Sequence, residues 1–363
     1  MLFNHTASEL LDLCRRTLDL AKAAGATAAE ADFSESLGQS VSVRLGEIEQ
    51  IEFQQDKSLD ITVYVGKRKG RAGTADFSEQ ALRDTVRAAA DIARHTAEDG
   101  CAGLADPELM AQHIGDPDLY HEWDLDTEAA VGLAKQCEQA ALDTDSRIEN
   151  SEGAAVQTGH YQYVYGNTHG FAAHRQSTHH SISCSVVAAD ENGMQRDYWY
   201  DSACRHPDMD SPETIGQTAA RRTLRRLGSR SIPTGSYPVL FDTTVSGGLI
   251  GHLVGTLSGG AHNLYLNHTH ETQSDLLKEM GTGLLVTELM GQGANTITGD
   301  YSRGAAGFWV ENGVIAYPVH EITVAGRLQD MYRDIVGVAD DALRRSSNKI
   351  GSILIAGMTV AGS

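Results

Sequence analysis

Two hydrophobic periods alternate along this chain, and each change of period marks a new element. Between Thr6 and Ala24, the residues Leu10, Leu13, Cys14, Leu18 and Ala21 fall on one face of a 3.6-residue helix. Thr6 and Glu9 make a capping box at its start. Further on the period drops to two: Val41, Val43 and Leu45 alternate with polar residues, as do Ile61, Val63 and Val65. This predicts short strands over 40–45, 47–53, 59–65 and 68–74, joined at Gly46 and Gly66 into an antiparallel meander. Ser78 caps a second helix reaching about His95, and 127–142 reads as a third.

Strand periodicity returns over 148–201, with turns at Gly166-Asn167, His169-Gly170 and Asn192-Gly193, which suit a twisted antiparallel sheet. Ser211-Pro212-Glu213 starts a helix running to about Leu227. The stretch 228–235, with Pro233 inside it, divides the chain into expected domains 1–230 and 235–363. Beyond it come a strand over 237–241, a glycine-bearing helix over 245–257 and a short helix over 274–280 stopped by Gly281. A strand at 284–289 leads into a loop expected over 291–307, with glycines at 291, 293, 299, 304 and 307. A hairpin follows, turning at Asn312-Gly313, and closing strands are predicted over 321–324 and 350–355. Helices segregated from antiparallel strands make this an α+β chain of two domains. Each half supplies helix and meander, which leaves an internal duplication open.

Composition narrows the function. A formal net charge of -20 over 363 residues argues against a phosphate-binding surface, so direct nucleic-acid contact is not expected. The basic groups at 67–71 and 221–226 are short, and the second reads as a solvated helix face. No apolar run approaches the ~20 residues of a membrane span, and the start lacks the layout of a secretory signal. Five widely spaced cysteines without a CxxC pair read as reduced thiols of a cytoplasmic protein.

Candidate chemistry clusters late in the chain. His262, His268, His270 and Glu271 are residue types that suit zinc, but their spacing matches no closed structural site. Asp300, Tyr301, Ser302 and Arg303, with His262 and Asn263, form the candidate substrate-binding set, able to anchor a peptide backbone or a carboxylate. A hydrogen-bonded loop is the plainer reading of the same residues. His252 stands alone on a helix whose glycines at 247, 248 and 251 suggest tight packing against a neighbour.

The block EMGTGLLVTELMGQGANTITGDYSRGAAGFWVENG resembles the C-terminal signature of the TldD/PmbA family, in its PmbA (TldE) branch. VSGGLIGHLVGTLSGG, GEIEQIEFQQDKSLDITVYVGKRKG, CAGLAD and ARRTLRRL match the same branch, so the resemblance covers nearly the whole chain. One departure stands out: between Gly260 and His262 the family carries a long further segment that this sequence lacks.

The resemblance implies one half of a two-component metallopeptidase acting on unfolded or leader peptides. In the TldD partner a helix motif H-E-x-x-x-H supplies two zinc ligands and a glutamate base, and a distant cysteine completes the site. Here Gly247 stands in the first histidine's place, Gly248 in the glutamate's, and only His252 remains; 348–352 holds no cysteine. By that comparison the motif is degenerate, no catalytic residue is assigned to this chain, and zinc is expected in the TldD-type partner. Two alternatives stay open. One is a stand-alone homodimeric metallopeptidase using His252, His262 and His268. The other is a non-enzymatic binding protein, as the family's older label, modulator of DNA gyrase, suggests.

Overall fold

Residues 2–111, 114–257 and 263–362 are described in the computed structural model. The first helix, α1 (Ala7–Ala23), begins at the expected capping box. The Glu9 amide donates to the Thr6 hydroxyl at 3.2 Å, and the Thr6 amide donates to the Glu9 carboxylate at 2.7 Å. Its stripe of Leu10, Cys14, Leu18 and Ala21 is buried in one core with Leu82, Val86, Ala89 and Ala93 of α2 (Glu79–His95). Ala29, Ala31 and Phe33 of β1 (Ala28–Arg44) and Leu59, Ile61 and Val63 of β2 (Glu47–Val65) complete that core. Beyond them lies β3 (Arg68–Thr74).

Three expected short strands, 40–45, 47–53 and 59–65, are parts of two longer ones. β1 starts at Ala28, well before the alternation at Val41, and β2 runs unbroken from Glu47 to Val65. The first half of β1 buries Ala29, Ala31, Phe33 and Glu35, an alternation with one large apolar residue and a carboxylate, so hydropathy marks it only weakly. Pairing on both sides holds it: Leu37 sits opposite Gln55 of β2 and His160 of β4 (Ile148–Asn167). The buried carboxylate of Glu138, on α3 (Thr127–Leu142), accepts from the amides of Leu45 and Gly46 at 2.8 Å each. It thereby ties the turn in which both residues take positive φ. β5 (Ala172–Asp190) and β6 (Gly193–Ala203) finish a six-stranded sheet ordered β3-β2-β1-β4-β5-β6, and α4 (Pro212–Leu224) follows.

The second sheet is built from β7 (Gly235–Phe241), β8 (Gly283–Met290), β9 (Asp300–Glu311), β10 (Val314–Arg327), β11 (Ile335–Val338) and β12 (Ile353–Ala361). Its order is β10-β9-β8-β7-β12-β11. One pairing departs from the expected antiparallel pattern: Val239, Leu240 and Phe241 pair parallel with Leu284, Leu285 and Val286. A parallel step needs a long crossover. The chain supplies one through α5 (Thr243–Leu257) and α6 (Gln273–Met280). Gly281 caps α6 with positive φ, and Asn312 and Gly313, both with positive φ, turn the β9–β10 hairpin as predicted. Leu249 and Ile250 of α5 pack into the sheet's core with Phe241, Leu284, Val286 and Ile353. α7 (Leu328–Arg333) buries Leu328 and Met331 in the same core.

The architecture is α+β, with two sheets and segregated helices. By compactness the chain forms two units: Met1–Ala140 with Glu152–Cys184 and Tyr200–Gly216, and Ala141–Ser151 with Ser185–Trp199 and Gln217–Ser363. Among the described residues no helix is long and apolar enough to cross a membrane.

Candidate functional site

The glycine-rich stretch after β8 is only half loop, which corrects the expectation of a loop through Gly307. Residues 291–299 are irregular, but from Asp300 the chain is β9, paired with β10 from Asp300–Arg327 onward. The Ser302 amide donates to the Gly293 carbonyl at 2.7 Å, and Ala294 bridges to Tyr301. Strand alternation therefore divides the candidate residues between two faces. Tyr301 and Arg303 lie on one; Asp300 and Ser302 lie on the other, both exposed.

Asp300 serves its own turn. Its carboxylate accepts from the Thr298 hydroxyl at 2.7 Å, and its carbonyl accepts from the Asn295 amide at 2.8 Å. The Asn295 side chain in turn accepts from the amides of Ile297 and Thr298. For Asp300 the plain reading, a hydrogen-bonded turn, describes these contacts.

Tyr301 and Arg303 face α5. The rings of His252 and Tyr301 meet edge to face, with centroids 6.3 Å apart. The Arg303 guanidinium donates from Nη2 to the Leu289 carbonyl over a long 3.4 Å, and its Nε is buried without a partner. Burial pushes the Tyr301 phenol up, against the opposing charge and hydrogen bond of Arg303. Burial also holds His252 below the usual imidazole range, and the nearby Arg303 charge adds to that. Around these groups lies a cavity of about 270 Å³ lined by His252, Arg303, Gly291, Gln292, Gly293 and Ala294. No carboxylate lines it.

The glycines of α5 behave differently from expectation. Among the described residues, a Cβ built on Gly247, Gly248 or Gly251 would meet nothing within 4 Å, so none of them packs tightly on this face. The start of α5 is held instead by polar contacts. The Asp242 carboxylate accepts from the Thr244 amide at 2.9 Å and from Gln273 Nε2 at 2.8 Å. Gln273 Nε2 also donates to the Ser352 hydroxyl, which donates to Asp341 at 2.7 Å. The Thr243 amide donates to Ser352 Oγ at 3.1 Å. Residues 350–352 are thus pinned to the helix start by hydrogen bonds from over a hundred positions away.

The remaining candidates are scattered. His262 lies outside the described residues. Asn263, exposed and with positive φ, does not line the cavity. His268 pairs with the Tyr265 hydroxyl at 3.1 Å and lies 3.7 Å from Asp340, whereas His270 meets Glu279 at 2.7 Å. Among the described residues no group of three His, Cys, Asp or Glu side chains is placed to share a metal ion. What sequence reasoning missed is the partnership of His252 with Arg303 across Gly291–Ala294. The one local signal for it was the alternation that sets Tyr301 and Arg303 on a common face.

Comparison with known proteins gives consistent matches along the chain. The PmbA/TldA metallopeptidase domain 1, central domain and C-terminal domain match residues 29–93, 120–227 and 256–362. Metalloprotease PmbA of Escherichia coli O157:H7 is 40% identical, the match covering 92% of each chain. That alignment runs over 414 positions, more than the 363 residues here, so the relative carries residues this chain lacks. Metalloprotease PmbA homolog of Haemophilus influenzae is 37% identical, over 98% of this chain and 96% of its own. In fold, the chain is similar to a Bacteroides thetaiotaomicron structure named for modulation of DNA gyrase, with a TM-score of 0.84 at 23% identity and full coverage of both chains. It is also similar to TldE from Thermococcus kodakarensis, with a TM-score of 0.70 at 14% identity over 96% of this chain and all of that one.

Proposed function

The chain belongs to the PmbA/TldD metallopeptidase family, and from that premise we propose that it is the PmbA/TldE-like subunit of a TldD/TldE-type zinc metallopeptidase complex. In this reading the zinc resides in the TldD-type partner, and this chain shapes the chamber that admits unfolded or leader peptides. The observation that carries it is the state of α5. At Gly247 and Gly248, where the resemblance would put a ligand and a base, no side chain exists and no described residue would touch a Cβ there. The one imidazole left, His252, has the Arg303 guanidinium as its neighbour. A catalytic zinc needs about three protein donors and a base for its water. A fixed positive charge beside a single donor disfavours a second cation, so these residues do not fit the metal and no hydrolytic step is assigned to them.

The reading makes a direct demand on the purified protein. Alone, the chain should hold no stoichiometric zinc and should not cleave an unfolded peptide. Mixed with a TldD-type subunit, it should co-purify and support cleavage that a chelator abolishes. Stoichiometric zinc in the isolated chain, or chelator-sensitive cleavage without a partner, would favour the homodimeric peptidase instead.

A further inference from the structure

In a chain of formal charge -20, the cavity between α5 and β9 is a place where a positive charge faces space and no carboxylate answers it. Most other arginines here are tied to an acid, a carbonyl or an aromatic ring. Arg222 reaches Asp197 and lies over Trp199, Arg226 pairs with Asp197 and Glu288, and Arg230 lies over Tyr317. Arg303 has no acid beside it, only a long bond to the Leu289 carbonyl and the hydroxyl of Tyr301; its Nε, like that of Arg222, is buried with no partner among the described residues. A guanidinium that lines a cavity and is answered only by a long bond to a neutral carbonyl gains from an anionic acceptor.

The surrounding groups suit one class of acceptor. The guanidinium is a planar fork that matches the two oxygens of a carboxylate. Neutral His252 can donate one further hydrogen bond without adding charge, and burial together with the Arg303 charge keeps it neutral. The floor is backbone: Gly291, with positive φ, and Gly293, pressed against Ser302, bring the main chain to the cavity without side-chain bulk. About 270 Å³ holds a carboxylate and the residue or two that carry it. A metal cation is disfavoured by Arg303, and a larger polyanion would meet the acidic bulk of the chain.

We propose that the cavity lined by His252, Arg303 and Gly291–Ala294 binds a carboxylate of an extended peptide, either its C-terminus or an acidic side chain. The assignment rests on the chamber reading above for its biological meaning, but not for its chemistry.

Three capped alanine peptides separate the sources: N-acetyl-trialanine as the free acid, the same peptide as its amide, and an amide with a central glutamate. Titrated into the purified chain and followed by calorimetry or NMR, the free acid should bind about tenfold more tightly than its amide, the loss expected when a charge-assisted pair is removed. Binding of the glutamate peptide as well assigns the site to any carboxylate; its failure assigns the site to the C-terminus. Arg303→Gln should erase the preference for the acid, and Arg303→Lys, which keeps charge without the fork, should restore part of it. Equal affinity for acid and amide overturns the proposal, as does inorganic phosphate outcompeting the acid. The acid and amide comparison on the unaltered chain needs no variant to fold. Zinc content and partner-dependent cleavage report on the chamber reading separately, so either idea can fail while the other stands.

Discussion

Gly293 and Ser302 approach so closely that a Cβ on Gly293 would lie 1.6 Å from the Ser302 carbonyl oxygen. The contact seats the loop 291–299 on β9 and shapes the floor of the cavity. Gly293→Ala must push the two backbones apart, and overpacking of this kind costs about 1–3 kcal/mol. The variant should melt lower and lose acid-peptide binding together. A variant with unchanged melting temperature and intact binding would show that the loop can move freely.

Asp300 and Arg303 should separate cleanly in mutagenesis. Asp300→Ala removes the acceptor of the Thr298 hydroxyl and should cost stability of about 1 kcal/mol. Peptide processing by the reconstituted complex should stay near that of the parent. Arg303→Ala should do the reverse, weakening processing of long peptides with little change in melting temperature. Equal effects on processing from both variants would refute the division of the two residues between opposite faces.

The glycine face of α5 gives an expectation opposite in sign to one of tight packing. Gly247→His and Gly248→Glu replace poor helix formers where no described residue would touch a Cβ, so the double variant should be more stable, by roughly 0.3–1 kcal/mol. It should still cleave nothing when alone, since residues 348–352 supply no third ligand. Chelator-sensitive cleavage by this variant in isolation would overturn the non-catalytic assignment.

Acid should destabilise the chain through its buried imidazoles. Burial holds His160, His174 and His180 below their ordinary value of 6.5, and neighbouring histidines depress His180 further. The unfolded chain takes up protons near 6.5 while the folded chain resists them. Stability is therefore full above that value and is lost as pH falls from 6.5 through the lowered folded values. His180 is wholly buried, with Trp123 edge to face against its ring and the His121 carbonyl 3.0 Å from Nε2. His180→Phe should lose about 1 kcal/mol at alkaline pH with that bond, yet show a shallower acid decline. Melting curves between about pH 8 and about pH 5.5 would decide, and an unchanged slope would exonerate His180.

Local chemistry was legible in the residues themselves. The Thr6–Glu9 capping box, the Gly281 cap and the Asn312-Gly313 hairpin are each encoded within a few positions, and all three form as read. Backbone groups there are satisfied by immediate neighbours, so the signal needs no distant partner. The family signature is legible for a related reason, since it is carried by contiguous blocks.

Long-range pairing decided the rest. The weakly patterned first half of β1 is a strand because β2 and β4 satisfy its backbone on both sides, and the residues of 28–39 do not name those partners. Arg303 became a strand residue facing His252, rather than a loop residue beside Asp300, when β10 paired with β9. His252 and Arg303 stand 51 positions apart. The cavity between them exists only once α5 has packed on β8 and the loop at Gly293 has closed on Ser302. The residue types were present in the sequence, but the unmatched guanidinium is a property of the space around it, which only the packed chain creates.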